Sequence, residues 1–104
     1  MCRLYAHTRT SDYEQVTRSV RLHGLVTSIR LENRFWALLD QMAGEEGMTT
    51  PRFLATLHDE VLEHHGEVRN FASLLRVACT TYLAGQASAP QARLSAPSDL
   101  ALAK

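Results

Sequence analysis

The run "VTSIRLENRFWALL", beginning at Val26, changes its period half-way along. Thr27, Ile29 and Leu31 alternate with Val26, Ser28 and Arg30, a spacing of two that puts each set on one face of a strand. From Phe35 the apolar residues recur at Leu38, Leu39, Met42 and Ala43, the stripe of an amphipathic helix, with Asn33 placed to cap it. A strand of only about six residues leaves its backbone N–H and C=O groups without partners, so a second strand must be found. Nothing downstream offers one. "TTPRF" opens a second helix, with Thr49 or Thr50 as its cap and Pro51 in the first turn, where its missing N–H is no loss. Phe53 or Leu54, Leu57, Val61 and Leu62 form its apolar face and Gly66 ends it. A third helix follows Asn70, with Phe71, Leu74, Leu75, Ala78 and Tyr82 on one stripe and Gly85 as its stop.

Two sources of the missing strand are open. Upstream, "SVRLHG" also alternates, with Val20 and Leu22 on one side and Arg21 and His23 on the other. The parity of the apolar positions flips across Gly24, which marks a bulge or a turn. A hairpin there is one source, although the Asn-Gly signature of a tight hairpin is missing. The other source is a second copy of the chain, paired antiparallel about a two-fold axis. We favour the second copy. The expectation is thus a mainly α chain, with one short N-terminal strand pairing across a homodimer and three helices after it. The helices of both subunits would interlock, leaving an isolated monomer poorly folded. At 104 residues there is room for one domain. Its expected limits are 17–84, between a flexible arm at 1–16 and a mobile Ala/Ser/Pro-rich tail at 85–104.

Charge and motifs narrow the function. Net charge is zero over the whole chain, yet its distribution is uneven. Up to Phe35 there are six arginines against three carboxylates, and the remainder has five basic and eight acidic residues. Arginine suits forked contacts with phosphate and guanine. No apolar run reaches the roughly 18 residues of a membrane span, and the N-terminus has no apolar stretch long enough for a secretory signal. A cytoplasmic protein with Cys2 and Cys79 as reduced thiols is expected. "HDEVLEHH" gathers His58, His64 and His65 with Asp59, Glu60 and Glu63. Leu62 occupies the position one turn after His58, and HExxH is absent, so these residues are read as a solvated helix face. With no Gly-rich phosphate loop and no nucleophile motif, we expect no enzyme, no cofactor and no metal.

The order "TSIRLENRFWALLDQMAGEEGMTTPRFLATL" resembles the ribbon-helix-helix family of DNA-binding proteins, the class of the Arc and MetJ repressors. The wider run "RSVRLHGLVTSIRLENRFW…NFASLLRVACTTYL" is similar to one subgroup of it, and the resemblance covers about Thr17 to Leu83. It implies a two-stranded ribbon that enters the major groove of double-stranded DNA, with outward side chains reading bases. The matching positions are Val26, Ser28 and Arg30. Arg30 suits the two guanine acceptors, Ser28 discriminates less, and Val26 departs from the longer polar residue usual in the subgroup. Thr27, Ile29 and Leu31 would face inward and, with Phe35, Trp36, Leu39 and Leu57, build the dimer core. The N-terminus of the second helix, with Thr49, Thr50 and Arg52, would hold a backbone phosphate. Arg18 and Arg21 would track phosphates beside the ribbon. The resemblance thus implies a homodimeric transcriptional regulator, a repressor, with further assembly on DNA open. Two alternatives stand beside it: an antitoxin that also binds a toxin protein, and a dimeric interaction scaffold that does not bind DNA.

Overall fold

The computed structural model describes residues 2–88. In chain order the elements are α1 (Cys2–Ala6), α2 (Thr10–Tyr13), β1 (Gln15–Leu22), β2 (Leu25–Glu32), α3 (Asn33–Glu45), α4 (Thr50–His65) and α5 (Phe71–Ser88).

The partner of β2 is β1 of the same chain. The two strands pair antiparallel from Gln15↔Glu32 at the open end to Leu22↔Leu25 at the closed end. This corrects the expectation of a single strand completed from a second copy. The turn explains it. His23 and Gly24 both have positive φ, 53° and 80°, as the two central residues of a tight I′ hairpin turn require. Histidine enters that region less readily than asparagine, but it does enter it. A two-residue turn also makes the even-numbered residues of β1 pair with the odd-numbered residues of β2. The parity flip at Gly24 is the hairpin itself.

One face of the hairpin carries Arg18, Val20 and Leu22 from β1, with Thr27, Ile29 and Leu31 from β2. Val20, Leu22, Ile29 and Leu31 are buried there. β1 lies against α4, and β2 against α3 and α5. Between these layers Trp36, Leu39, Leu54, Leu75 and Cys79 are fully buried, and Phe35, Leu38, Met42, Phe53, Leu57 and Phe71 pack around them. Each large apolar side chain removed from water in this way contributes about 1.5–3 kcal/mol. The Trp36 indole N–H donates to the Val16 carbonyl at 2.8 Å, which anchors the open end of β1 on α3.

The helix limits follow local chemistry. Glu32 is the N-cap of α3, and Asn33, expected as the cap, is its first residue; the Asn33 N–H donates to the Glu14 carbonyl at 2.8 Å. Thr49 caps α4, its hydroxyl accepting from the Arg52 N–H, and Gly66 closes that helix at φ 81°. Asn70 caps α5 through Oδ1, which accepts from the Ser73 N–H at 3.2 Å. α5 continues through Gly85 to Ser88, beyond the expected stop, since one helical glycine costs only about 1 kcal/mol. The rest of the proposed tail lies outside the described residues. The first sixteen residues, expected as an arm, hold α1, α2 and the start of β1. Asp12 explains part of that order, because it ties α2 to Arg34 of α3 at 2.9 Å.

Candidate nucleic-acid interface

The other face of the hairpin is open. Its cross-strand pairs are Thr17↔Arg30, Ser19↔Ser28 and Arg21↔Val26, and all six residues are exposed. Val26, Ser28 and Arg30 therefore stand together, as alternation in β2 alone requires. Thr17, Ser19 and Arg21 of β1 double the width of that surface. Thr17 and Ser19 were missed in the sequence, although the parity flip at Gly24 carried the signal. One short hydroxyl pair, Ser19↔Ser28, lies in the middle, with Arg30 and Arg21 at diagonal corners. Arg30 makes no ion pair or side-chain hydrogen bond among the described residues. Arg21 Nη1 donates to the Gly24 carbonyl at 3.1 Å.

Other arginines of the positive first third are neutralised within the chain. Arg9 and Arg34 both meet Asp12, which holds that carboxyl below its ordinary range, chiefly through the Arg34 hydrogen bond. Arg18 lies on the inner face, apart from Val26, Ser28 and Arg30. Its two terminal nitrogens donate to the two oxygens of Asp40 at 2.9 and 3.1 Å, and its guanidinium sits 4.5 Å from the Trp36 ring centroid. The Arg18 hydrogen bond is the main cause of the lowered Asp40 pKa. Outside this group, Arg76 of α5 donates to Glu32 at 2.9 Å and brings that carboxyl down to about 2, helped by the backbone and by Gln15.

At the start of α4 the hydroxyls are engaged. The Thr49 oxygen accepts from the Arg52 N–H at 3.3 Å, and the Thr50 hydroxyl donates to Asp40 at 2.6 Å. The Arg52 guanidinium is exposed and makes no ion pair among the described residues. Thr50 and Arg18 thus share one carboxylate, while Arg52 points its charge to solvent. Of the expected dimer core, Ile29, Leu31, Trp36 and Leu39 are buried within one chain, and Thr27, Phe35 and Leu57 are half-buried. Leu57 and Val61 line a groove of about 520 Å³ on α4 with Glu60, Glu63, His64 and His65. The Cys79 thiol is pushed up to about 11 by burial, so it is not a nucleophile at neutral pH.

A two-stranded ribbon open on one face, followed by helices that close the other, is a known arrangement. The sequence profile of the ribbon-helix-helix domain matches residues 15–83. The chain belongs to the ribbon-helix-helix domain family. That family is a DNA-binding, non-enzymatic fold whose members are generally transcription regulators or antitoxins and typically dimerise. Among solved structures, the chain is similar to an uncharacterized protein from Bordetella pertussis Tohama I. The two share 40% identity with a TM-score of 0.81, over 84% of this chain and 70% of that one. No curated protein sequence matches the chain. Among the described residues, no helix of this ribbon-helix-helix protein is long and apolar enough to cross a membrane.

Proposed function

We propose that the protein is a cytoplasmic homodimer that binds double-stranded DNA in a sequence-specific way and represses transcription by occupying its operator. The outward hairpin face carries this reading: six exposed residues, hydroxyls at the centre, and Arg30 without any internal partner among the described residues. A two-stranded ribbon fits the roughly 12 Å width of the major groove. Arg30 forks onto guanine O6 and N7, Ser28 and Ser19 exchange hydrogen bonds with neighbouring edges, and Val26 meets a thymine methyl. Arg21 and Arg52 contact phosphates. At the start of α4 the Thr49 O–H, the Thr50 N–H and the Arg52 guanidinium are the donors left for that role, since the Thr49 oxygen only accepts while the Thr50 hydroxyl donates to Asp40. A second copy covers the half-buried Leu57 and Val61 of α4, so that two ribbons are presented together.

The test is selection of bound duplexes from a random pool by the purified protein. A two-fold symmetric motif with guanine at a fixed position in each half supports the proposal. Failure to enrich any motif, together with no salt-dependent binding to random duplex, leaves the interaction-scaffold reading in its place. The antitoxin reading shares the same ribbon. A toxin-binding extension would fall in the Ala/Ser/Pro-rich tail, 85–104, whose sequence is a poor amphipathic match and whose residues from 89 on lie outside the described ones.

A further inference from the structure

The hairpin turn brings His23 against α4, where the chain places three metal-ligating groups together. The His23 Nε2 is 2.7 Å from Asp59 Oδ1. The His23 and His58 ring centroids are 5.4 Å apart, with the ring planes inclined at 68°. One ligand atom from each of His23, His58 and Asp59 lies within 4.8 Å of the others, the one such cluster among the described residues. On α4 alone His58 has no ligand one turn away, since Leu62 occupies that position. The missing ligand is 35 residues upstream, at the tip of the ribbon.

We propose that His23, His58 and Asp59 form a binding site for a divalent transition-metal cation of the zinc class, which fastens the ribbon tip to α4. Two neutral imidazoles and one carboxylate are a donor set that such ions take, with solvent completing the shell. Bond lengths near 2.1 Å separate neighbouring ligand atoms by about 3.0–3.4 Å. The His23–Asp59 distance therefore opens slightly and the widest separation closes. Both movements fall on accessible side chains: His23 is 51% and Asp59 59% exposed. His58 is half-buried, with its edge-to-face neighbour Phe71 at 5.0 Å holding the ring. Its Nδ1 is buried without a hydrogen-bond partner, so this imidazole is incompletely satisfied by the protein. His23 also occupies a turn position with φ 53°, where asparagine or glycine forms the turn more readily. What the imidazole adds there is its reach to Asp59. The site stands apart from the nucleic-acid reading, because none of its ligands lies on the outward ribbon face.

The experiment uses the full chain, stripped with a chelator and titrated with Co²⁺ alone, read by visible absorption, and with Zn²⁺ alone, read by calorimetry. The expected result is one ion per chain and a Tm that rises with Zn²⁺. His23→Asn, which accepts the positive φ, and Asp59→Asn should each weaken binding by more than the roughly 10–100-fold that loss of an outer-shell partner costs. Each should also abolish the Tm rise, with an unchanged circular dichroism spectrum. The double variant His64→Asn/His65→Asn should bind as the unaltered chain does. Equal affinity in the His23 and Asp59 variants overturns the proposal, as does loss of binding in the His64/His65 variant alone.

Discussion

Arg18 and Arg30 look alike in the sequence, and the structure separates them by which face of the hairpin they leave. Replacing Arg18 with methionine keeps the aliphatic stem and removes the guanidinium. Two interactions are lost. The forked pair with Asp40 has side chains 38% and 46% exposed, so solvent limits it to about 0.5–1 kcal/mol. The guanidinium over Trp36, at 4.5 Å, contributes a further ~0.5–1 kcal/mol. Arg18→Met should therefore lower unfolding stability by about 1–2 kcal/mol, seen in urea as a lower midpoint at constant slope. A double-mutant cycle with Asp40→Asn should return a coupling of about 0.5–1 kcal/mol. The salt dependence of duplex binding should stay as in the unaltered protein. If Arg18→Met left stability within about 0.3 kcal/mol and instead reduced the salt slope by about one, Arg18 would be a phosphate contact and the assignment of faces would be wrong.

Two further outcomes follow from contacts elsewhere. Glu32 has its pKa lowered from 4.5 to about 2, chiefly by the Arg76 hydrogen bond, so its stabilisation is complete above pH 4.5 and is lost as pH falls towards 2. With both partners a quarter to a third exposed, this amounts to about 1–2 kcal/mol; Glu32→Gln should lose that at pH 7 and flatten the acid limb of a urea-midpoint profile. Leu57→Glu places a charge on the half-buried face of α4, beside Glu60. Sedimentation equilibrium should show a dimer for the unaltered chain at low micromolar concentration and a monomer for this variant; a dimer in both would move the interface elsewhere.

The helices were legible because their signals are local. The stop at Gly66 and the stripe from Phe35 to Ala43 fall where the pattern put them, and the α4 cap is Thr49, one of the two threonines the pattern offered. The faces of β2 were legible for the same reason, since alternation by two needs no partner to be recognised. The partner strand was misassigned. The turn it needs was marked by His23-Gly24, in which histidine stands where the Asn-Gly signature has asparagine, and by a flip of parity that has one simple geometric cause. Long-range contacts were the least visible. Arg18 looked like part of a basic patch until Asp40, twenty-two residues away, was seen to hold it. Thr50 looked free for phosphate until the same carboxylate accepted its hydroxyl. His58 looked isolated on its helix because its neighbours His23 and Phe71 belong to other parts of the fold. In each case one-dimensional spacing identified the chemistry of a residue but not the group across the fold that engages it.

The central claim is that the outward hairpin face reads DNA, and the most direct measurement compares two arginines on one selected duplex. Binding is measured by fluorescence anisotropy across a salt series, for the unaltered protein, Arg30→Ala and Arg52→Ala, on the selected sequence and on duplexes with the selected guanine replaced. Arg30→Ala should lose about 1–3 kcal/mol on the selected duplex and cease to distinguish it from the replaced ones. Arg52→Ala should weaken binding to all of them and lower the salt slope, with discrimination intact. Arg30→Ala with unaltered affinity and unaltered discrimination would contradict the account.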